Sequence, residues 1–348
     1  MRTILVTGGC GFIGAAIVNA LADAGHNVIS VDWNTRRFRN DVRFIHADIT
    51  DPRTLARYSH EVDTIIHSAS VVHTRRTNKR VVWHVNYEGT LAVLDACRLN
   101  CIPSLVHISS ASVVYTGRDI QNGDESLPYS SRSLAPYADS KIAAERAVLE
   151  FGVNSPTRVC ALRPHIVFGA NDNRFIPNII ERAELGILRR RVRSPRSLSD
   201  FTYIDNFTQA VITVEDRLSH DDRLDGQTYF ITNGEPTPFY DFVQQFLAEM
   251  GYPPISTTIP AWVAFTGAAL YEFWEWTRAR ELRPEDGISR FTIRYLTTHH
   301  YFSNRKAEQD FGYKPTVPLF EGIRRTVSSL QDGEGERTRV FVPRQTLV

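Results

Sequence analysis

A tyrosine and a lysine stand four residues apart in the segment Tyr137-Ala138-Asp139-Ser140-Lys141. This spacing places both side chains on one face of a helix, one turn apart. A phenol with an ordinary pKa near ~10 is a poor base at neutral pH, but an adjacent ammonium and an oxidised nicotinamide would both favour its phenolate. The pair therefore indicates acid–base chemistry on a substrate oxygen, with the lysine also available to a nicotinamide ribose.

A hydroxyl group precedes this helix in the sequence Ile108-Ser109-Ser110-Ala111-Ser112, where an apolar, strand-like run ends. The helix follows that strand, so a serine at the strand end could reach the same substrate oxygen from the facing loop. We select Ser110 as the third catalytic residue, with Ser109 as the alternative.

A glycine-rich turn, Thr7-Gly8-Gly9-Cys10-Gly11-Phe12-Ile13-Gly14, lies between the apolar run 4–6 and a helical pattern that continues to Ala24. Glycines let the backbone approach a pyrophosphate closely, and the following helix points free N–H groups at the phosphates. The spacing fits both Gly9-x-Gly11-x-x-Gly14 and Gly8-x-x-Gly11-x-x-Gly14, so it leaves the dinucleotide-binding family open. The residues predicted to hold the dinucleotide here are Gly8, Gly11, Phe12, Ile13 and Gly14.

An acidic residue, Asp32, ends the second apolar run, roughly 20 residues past the turn. A carboxylate at this position can hold both ribose hydroxyls and would repel a 2′-phosphate, which favours NAD over NADP. Arg36 and Arg37 could meet such a phosphate if their loop curled back, although arginines of this kind are more often simply at the surface. NAD is the cofactor predicted.

Short apolar runs alternate with helical patterns through the first half of the chain, which predicts an α/β fold with a doubly wound parallel sheet of the Rossmann type and about seven strands. Segments 90–99 and 137–151 should be crossover helices. Residues 201–204 and 227–231 again have strand patterns and are expected to return to the main sheet. The strands predicted in the first half are 3–7, 28–31, 42–46, 63–67, 104–109 and 158–162.

The alternation of strand-like and helical segments ends after Pro164, which predicts that cofactor binding and substrate binding belong to different regions of the chain. Residues 1–168 and 200–232 are expected to form the NAD-binding domain, 169–199 (with a helix near 177–188) and 233–330 a smaller substrate-binding region, and 331–348 a mobile polar tail. The run Arg189–Arg193 could bind an anionic substrate group, or could be a solvated basic loop.

Composition limits the partners and the compartment. Lys and Arg number 40 against 39 Asp and Glu, a net charge of +1 that argues against a nucleic-acid partner. Met1-Arg2 runs directly into the first strand without a secretory signal, so we expect a cytoplasmic protein. Neither the four cysteines nor the eleven histidines show zinc spacing, and no catalytic metal is expected.

The longest apolar stretch, 259–271, falls short of the ~20 residues that span a bilayer, and it continues into Glu272-Phe273-Trp274-Glu275-Trp276. This mixture of acids and aromatics is typical of an amphipathic helix. Three interpretations stay open for residues 259–276: the lining of an apolar pocket, peripheral contact with a membrane surface, or ordinary core packing.

Gly8-x-x-Gly11-x-x-Gly14, the serine at a strand end and Tyr137-x-x-x-Lys141 together resemble the extended short-chain dehydrogenase/reductase family over nearly the whole chain. Longer strings resemble its 3-beta-hydroxysteroid dehydrogenases and, among these, the sterol-4-alpha-carboxylate 3-dehydrogenases. Those strings are 110–117 (SASVVYTG), 121–129 (QNGDESLPY), 231–236 (ITNGEP), 299–303 (HHYFS) and 311–315 (FGYKP).

The resemblance implies specific roles for the three catalytic candidates. Tyr137 would accept the proton of a secondary alcohol, Ser110 would orient that oxygen, and Lys141 would lower the pKa of the phenol while binding ribose. Hydride would pass to the nicotinamide. The remaining implied cofactor contacts are Asp48 and Ile49 at the adenine, Ser68 and Ala69 beneath the cofactor, and Pro164 and Val167 near the nicotinamide amide; Asn86 would be structural, and the role of His165 is left open.

The resemblance also implies an apolar, sterol-like substrate whose 3-beta-hydroxyl is oxidised, and a homodimer. A 4-carboxylate on that substrate would turn the product into a beta-keto acid that can lose carbon dioxide. Alternatives are the reverse reaction on a bulky beta-keto acid or ketone, and a nucleotide-sugar epimerase or dehydratase on the same scaffold. A non-enzymatic cofactor sensor is disfavoured because Ser110, Tyr137 and Lys141 are all present.

Overall fold

The computed structural model describes residues 1–35, 39–73, 79–193, 197–278 and 289–334. Arg36 and Arg37 therefore lie outside the described residues. The strands are β1 (Thr3–Thr7), β2 (Asn27–Asp32), β3 (Arg43–His46), β4 (Thr64–His67), β5 (Ser104–Ile108), β6 (Ile120–Gly123), β7 (Arg158–Pro164), β8 (Val167–Phe168), β9 (Arg190–Val192), β10 (Leu198–Ser199), β11 (Thr202–Tyr203), β12 (Gln227–Ile231), β13 (Thr237–Pro238), β14 (Thr257–Ile259) and β15 (His300–Phe302).

Helices connect most of these strands. They are α1 (Phe12–Asp23), α2 (Pro52–Tyr58), α3 (Lys79–Trp83), α4 (Gly89–Asn100), α5 (Pro136–Val153), α6 (Phe175–Glu184), α7 (Ile204–Leu218), α8 (Phe239–Glu249), α9 (Ala261–Arg278), α10 (Arg290–Thr297), α11 (Arg305–Phe311) and α12 (Leu319–Glu334). A π-helical turn, His84–Glu88, joins α3 to α4, and short 3-10 helices span Ala111–Val114 and Ile187–Arg189.

The main sheet has seven strands in the order β12-β7-β5-β4-β1-β2-β3, and all the pairings are parallel. Leu5 in the central strand pairs with Ile29 on one side and Ile65 on the other. Because β1 lies between the two halves of this order, the chain winds in opposite directions on either side of it. The predicted doubly wound α/β fold is confirmed.

Apolar side chains of the sheet alternate between two cores. Ile4 and Val6 face the core shared with α1 and α7, whereas Leu5 faces the core shared with α2, α4 and α5. Strands buried on both faces need helices on both faces, which explains the continuous apolar runs in the sequence. The result is a rigid platform whose strand ends can position side chains.

A third core lies beside the sheet and joins α6, α8 and α12. Aromatic rings in contact are prominent in it, among them Phe201 and Phe242, which stack with ring centroids 3.9 Å apart. Phe12 and Ile13, from the first helix, pack against the same core. The expected substrate region is thus in direct contact with the glycine-rich turn.

Three segments differ from expectation. Residues 201–204 do not return to the main sheet: Thr202–Tyr203 pairs with β8 in a separate two-stranded sheet, and Ile204 begins α7, whose first turn carries Asp205. Helix α11 lies within residues 233–330, which were expected to form the substrate-binding region, but its Ala307 and Phe311 pack into the core between the main sheet, α1 and α7. Helix α12 continues to Glu334, so the expected tail is helical over its first four residues, 331–334, and 335–348 lie outside the described residues.

Candidate active site

The candidate residues gather at the carboxyl edge of the main sheet. The glycine-rich turn leaves β1, Asp32 ends β2, Ser68 follows β4, and Ser110 follows β5. In a doubly wound sheet the crevice between oppositely wound halves opens at this edge, here between β1 and β4. Residues from distant parts of the sequence are thereby brought to one place.

The turn after β1 leaves no room for a side chain at Gly8 or Gly14. Gly8 has φ +70°, and a Cβ there would lie 2.6 Å from the Cα of Ala69. A Cβ on Gly14 would overlap the carbonyl oxygen of Gly8, and the Gly11 amide donates to that oxygen at 2.9 Å. Gly11 is the N-cap residue of α1 and contributes no side-chain cap, so the first N–H groups of the helix are available to a phosphate. This cradle fits a pyrophosphate.

Asp32 is fixed at the side of the turn. Its Oδ2 accepts from the Cys10 amide at 2.9 Å and its Oδ1 accepts from the Asn34 amide at 2.8 Å. Burial raises the pKa of this carboxyl group above its usual value, although the backbone hydrogen bonds oppose that shift. The carboxylate is thus held in one orientation, and its remaining lone pairs can accept from ribose hydroxyls.

The four implied contacts after β3 and β4 occupy different environments. Asp48 is exposed, and its carboxylate accepts from the Thr50 amide at 2.9 Å and hydroxyl at 2.8 Å. Ile49 is buried in the sheet core. Ser68 and Ala69 lie against the glycine turn, where the Ala69 amide donates to Thr7 Oγ1 at 3.3 Å. Ser68 and Ala69 thus border the cradle, while Asp48 and Ile49 lie in the loop after β3, where the Ala47 amide donates to the Asp32 carbonyl oxygen at 2.9 Å.

Tyr137 and Lys141 lie in the first turns of α5. The helix begins at Pro136, whose fixed φ suits the first helical position, after the extended residue Ala135. The Ser110 side chain acts on the Tyr137 phenol and opposes the rise in its pKa, and Ser110 Oγ accepts from the Ser112 amide at 3.2 Å. Two of the predicted catalytic side chains therefore lie near each other.

The Lys141 ammonium is buried, with 2% of the residue exposed, and donates to the carbonyl oxygen of Ile108 at 2.5 Å. Burial lowers its pKa to about 8, although the Glu145 carboxylate opposes the shift. Burial raises the pKa of Tyr137, and the Ser110 side chain and the Arg174 charge oppose that rise. Arg174 therefore supplies positive charge at the phenol, which the sequence pattern did not reveal.

Comparison with known proteins identifies the family. The sequence profile of the 3-beta hydroxysteroid dehydrogenase/isomerase family matches residues 5–261. The chain belongs to this family. It is 33% identical, over 93% of its length and 90% of the other protein, to a sterol-4-alpha-carboxylate 3-dehydrogenase, decarboxylating, of Mus musculus. It is 34% identical, over 94% of its length and 98% of the other protein, to a 2-alkyl-3-oxoalkanoate reductase of Stenotrophomonas maltophilia.

The fold is shared with solved structures of lower identity. A dTDP-glucose 4,6-dehydratase of Bacillus anthracis in complex with NAD superposes with a TM-score of 0.73 at 18% identity, covering 96% of this chain and 98% of that one. Membership of the family confirms the predicted resemblance and the predicted class, an oxidoreductase of the extended short-chain dehydrogenase/reductase type that acts on CH–OH groups.

This family member contains a buried ion pair behind the catalytic candidates that the sequence analysis missed. Glu145 is fully buried, one turn after Lys141, and its Oε1 accepts from Arg163 Nη2 at 2.5 Å and from the Tyr129 hydroxyl at 2.8 Å. Ser109, beside Ser110, donates to Glu145 Oε2. Glu145 could have been found from the sequence, because it follows Lys141 by four residues and so shares the helix face of Tyr137 and Lys141. Arg163 lies in β7, and no nearby sequence pattern relates it to Glu145.

Ser109, the alternative to Ser110, thus donates to Glu145, whereas the Ser110 side chain acts on the Tyr137 phenol. Asn86 is buried and bridges Val71 to Ser140 on α5, with its Nδ2 donating to Val71 O at 2.9 Å and to Ser140 Oγ at 3.0 Å. The implied structural role of Asn86 agrees with these contacts.

The segment after β7 supplies the last predicted residues. Pro164 ends β7 beside Ile231, and Val167 in β8 pairs with Thr202. His165 is buried between them, with Nδ1 2.7 Å from the Asp200 carbonyl oxygen and Nε2 2.8 Å from the Tyr295 hydroxyl. Both ring nitrogens are engaged, and burial lowers the His165 pKa to about 3, so this histidine is neutral at physiological pH.

Proposed function

We propose that this protein is an NAD-dependent dehydrogenase that oxidises the 3-beta-hydroxyl of a steroid- or sterol-like substrate, a class that includes 4-carboxysterols. The observation that carries the proposal is the grouping of Ser110, just after β5, with Tyr137 and Lys141, one turn apart on α5; the Ser110 side chain lies near enough to the Tyr137 phenol to oppose the rise in its pKa. Membership of the family and the names of the relatives support a steroid- or sterol-like substrate for this chemistry.

The three side chains divide the work as follows. The Ser110 hydroxyl donates to the substrate oxygen and fixes its position, and Tyr137 exchanges the proton of that oxygen. Lys141 holds the ribose and adds positive charge beside the phenol. A nicotinamide bound in the crevice would supply the hydride-accepting carbon. Holding alcohol and acceptor together removes the entropic cost of their encounter, and a positioned base adds roughly 100- to 10,000-fold.

The residues around the cradle support NAD as the resident cofactor. Gly8, Gly11 and Gly14 leave the space a pyrophosphate needs, and the buried carboxylate of Asp32 would lie where a 2′-phosphate would have to bind. Measuring kcat/KM with both cofactors tests the choice. A strong preference for NADP would overturn it.

Arg174 supports a substrate that carries a carboxylate beside the reacting oxygen. The arginine precedes α6, and its charge acts on the Tyr137 phenol; burial lowers the pKa of His73, and the Arg174 charge adds to that shift. The Asp172 carboxylate already caps the α6 amides, accepting from Arg174 N at 2.8 Å and Ile176 N at 3.0 Å. An incoming carboxylate would therefore meet the guanidinium rather than the helix N-terminus.

The substrate screen compares 3-beta-hydroxysteroids with and without a 4-carboxylate and follows formation of NADH. We expect turnover of both and a higher kcat/KM for the carboxylate. Changing Arg174 to Met should remove most of that preference while retaining turnover of the neutral steroid. An unchanged preference would show that the carboxylate is recognised elsewhere.

The role of Tyr137 is tested by Tyr137→Phe, which removes only the hydroxyl. Turnover should fall by roughly 100-fold or more, while NAD binding measured by calorimetry stays within a few-fold. Tyr58→Phe, on α2, is the matched control and should leave both values unchanged. Unchanged turnover in Tyr137→Phe would refute the proposed proton transfer.

A second candidate is reduction of a bulky beta-keto acid, favoured by the similarity to the 2-alkyl-3-oxoalkanoate reductase over 98% of that protein's length. It uses the same residues in the opposite direction, and an NADH-oxidation assay with such acids detects it. A sugar epimerase or dehydratase would instead retain tightly bound NAD and show no net change in reduced nicotinamide on turnover.

A further inference from the structure

Helix α10 carries a tyrosine, Tyr295, whose side chain is held by contacts from three other segments of the chain. The Tyr295 hydroxyl lies 2.8 Å from His165 Nε2, and the ring stacks on His300 with centroids 4.0 Å apart. The ring of Tyr115 meets it edge-on, with centroids 5.6 Å apart. This one side chain therefore joins α10 to β15, to the segment after β7 and to the segment after β5.

The partners of His165 fix the direction of its hydrogen bond with Tyr295. The Asp200 carbonyl oxygen can only accept, so His165 Nδ1, 2.7 Å away, carries the ring proton. Burial lowers the His165 pKa to about 3, so the ring holds a single proton and Nε2 is an acceptor. Tyr295 therefore donates its hydroxyl hydrogen to His165. Because both ring nitrogens are engaged in this way, His165 orients a neighbour rather than exchanging protons with a substrate.

A second phenol ties α10 in the opposite sense. Tyr115 comes five residues after Ser110, and its hydroxyl lies 2.6 Å from Oγ1 of Thr298, the C-cap residue of α10. Thr298 Oγ1 donates its own hydrogen to the Arg294 carbonyl oxygen at 2.9 Å, so Tyr115 is the donor in this pair. The two phenols thus link α10 both to the segment that begins at Ser110 and to the segment that contains His165.

The segment that accepts from Tyr295 has a strained backbone. Ile166, next to His165, has φ +35°, which β-branched residues rarely adopt. Thr202 holds both residues, because its hydroxyl donates to the His165 carbonyl oxygen at 2.6 Å and its amide donates to the Ile166 carbonyl oxygen at 3.0 Å. Strain of this kind persists where the surroundings fix one conformation, often at a functional site. This segment lies between Pro164 and Val167, the residues expected near the nicotinamide amide.

Helix α10 lies in the region expected to bind the substrate, and it packs on α9 through Ile293 and Ala268. Burial raises the pKa of the Tyr295 phenol well above its usual value, and the charges of Tyr115, Tyr137 and Asp200 add to that rise. The Tyr295 phenol is therefore near the catalytic candidates. Within the part of the chain that the structure describes, no helix has both the length and the apolar character to cross a membrane.

We propose that Tyr295 is a positioning residue for the substrate: through its hydrogen bond to His165 it sets how α10 lies against the segments that carry Ser110 and the nicotinamide contacts. A phenylalanine would pack equally well among the rings of Tyr115, Phe291 and His300. Only the hydroxyl supplies a bond of fixed direction to His165, and a satisfied buried polar contact selects one arrangement of the groups around it. The inference rests on the proposed function, because it concerns the same substrate.

Tyr295→Phe tests the proposal, since it removes only the hydroxyl. KM for the substrate should rise about tenfold, while kcat changes by less than about threefold and the NAD affinity measured by calorimetry by less than about twofold. Tyr229→Phe is the matched control: it removes a buried phenol that donates to Asp310 Oδ2 at 2.9 Å from the edge strand β12. The control should leave KM unchanged.

Two substitutions of His165 test the partner. His165→Gln keeps an amide oxygen that can accept from Tyr295 and should restrict the rise in KM to about threefold, whereas His165→Leu should raise KM as Tyr295→Phe does. The double variant Tyr295→Phe/His165→Leu should be no worse than His165→Leu alone. Additive effects would overturn the proposal. So would an unchanged KM in Tyr295→Phe, or a matching loss of kcat and NAD affinity, which would indicate a general loosening of the fold.

A measurement without substrate separates this inference from the proposed function. In nitrogen NMR of isotope-labelled protein, His165 should give the signals of a neutral ring protonated at Nδ1, and the Nε2 resonance should move in Tyr295→Phe. A resonance that Tyr295→Phe leaves in place would overturn the inference. If the unmodified protein turned over neither 3-beta-hydroxysteroids nor beta-keto acids, the proposed function would fail, and the Nε2 resonance would still decide whether Tyr295 holds His165.

Discussion

The ion pair between Glu145 and Arg163 offers the sharpest test of how the catalytic candidates are held. The carboxylate accepts hydrogen bonds from Arg163, Tyr129 and Ser109, and both charged side chains are almost fully buried, at 0% and 4% exposure. In Glu145→Gln the side chain keeps its shape, but its amide group would face donors, and the guanidinium would stay buried without its counter-charge. We therefore expect a large loss of stability.

The magnitude follows from the burial. Breaking a buried pair by removing one partner costs about 3–5 kcal/mol, whereas exposed pairs contribute about 0–1 kcal/mol. For a chain of 348 residues, about 2.1 cal/mol/K per residue gives an unfolding entropy of about 0.7 kcal/mol/K, so the thermal midpoint should fall by about 4–7 °C. Denaturant titration and thermal unfolding measure both quantities.

Two variants make the test specific. Glu150→Gln removes a charge from an exposed position of the same helix and should change the free energy of unfolding by less than about 0.5 kcal/mol. The double variant Glu145→Gln/Arg163→Met removes both charges and should lose less than the sum of the two single variants. A loss below about 1 kcal/mol in Glu145→Gln would refute the reasoning, because the pair would then behave as an exposed one.

Three further outcomes are expected. Gly14→Ala should abolish NAD binding, measured by calorimetry, because its Cβ would overlap the Gly8 carbonyl oxygen; retained affinity would contradict the proposed cradle. Asp32→Ala should lower kcat/KM for NAD by roughly tenfold in steady-state assays. The ratio of kcat/KM with NAD to kcat/KM with NADP should therefore become smaller. The pH profile of ketone reduction should be flat at low pH and fall as pH rises through about 8, where Lys141 loses its proton; a profile unchanged up to pH ~10 would contradict this.

The sequence predicted the main sheet well because its signals are local and repeated. Apolar runs separated by helical patterns specify parallel strands, and a single glycine turn specifies the first crossover. Tyr137 and Lys141 were readable because four-residue spacing fixes a shared helix face. The predicted return of residues 201–204 to the main sheet was wrong. Their β-branched and aromatic side chains favour a strand, but Asp205, in the first turn of α7, favours the start of a helix. Tertiary packing decided between the two.

Contacts between residues that are far apart in the sequence could not be predicted from such local patterns. Arg163 meets Glu145 only because β7 lies next to β5 and beneath α5, and Arg174 approaches Tyr137 only through the loop before α6. Likewise, the pattern of 259–276 predicts an amphipathic helix, but the period alone does not say which face meets the protein. The structure places small side chains such as Ala264 and Ala268 inward and the tryptophan side chains that it describes outward.

The shifted pKa values of Tyr137 and Lys141 bear on both directions of the proposed reaction. Burial raises the pKa of the phenol and lowers that of the ammonium to about 8, so the first proton to leave the pair as pH rises comes mainly from Lys141. Reduction needs both protons, and its rate should fall above that pH. Oxidation needs phenolate with ammonium, which has one proton fewer, so its rate should rise to about the same pH and then level. Because Glu145 supports the lysine charge, Glu145→Gln should move both transitions to lower pH, which a purely structural role would not do.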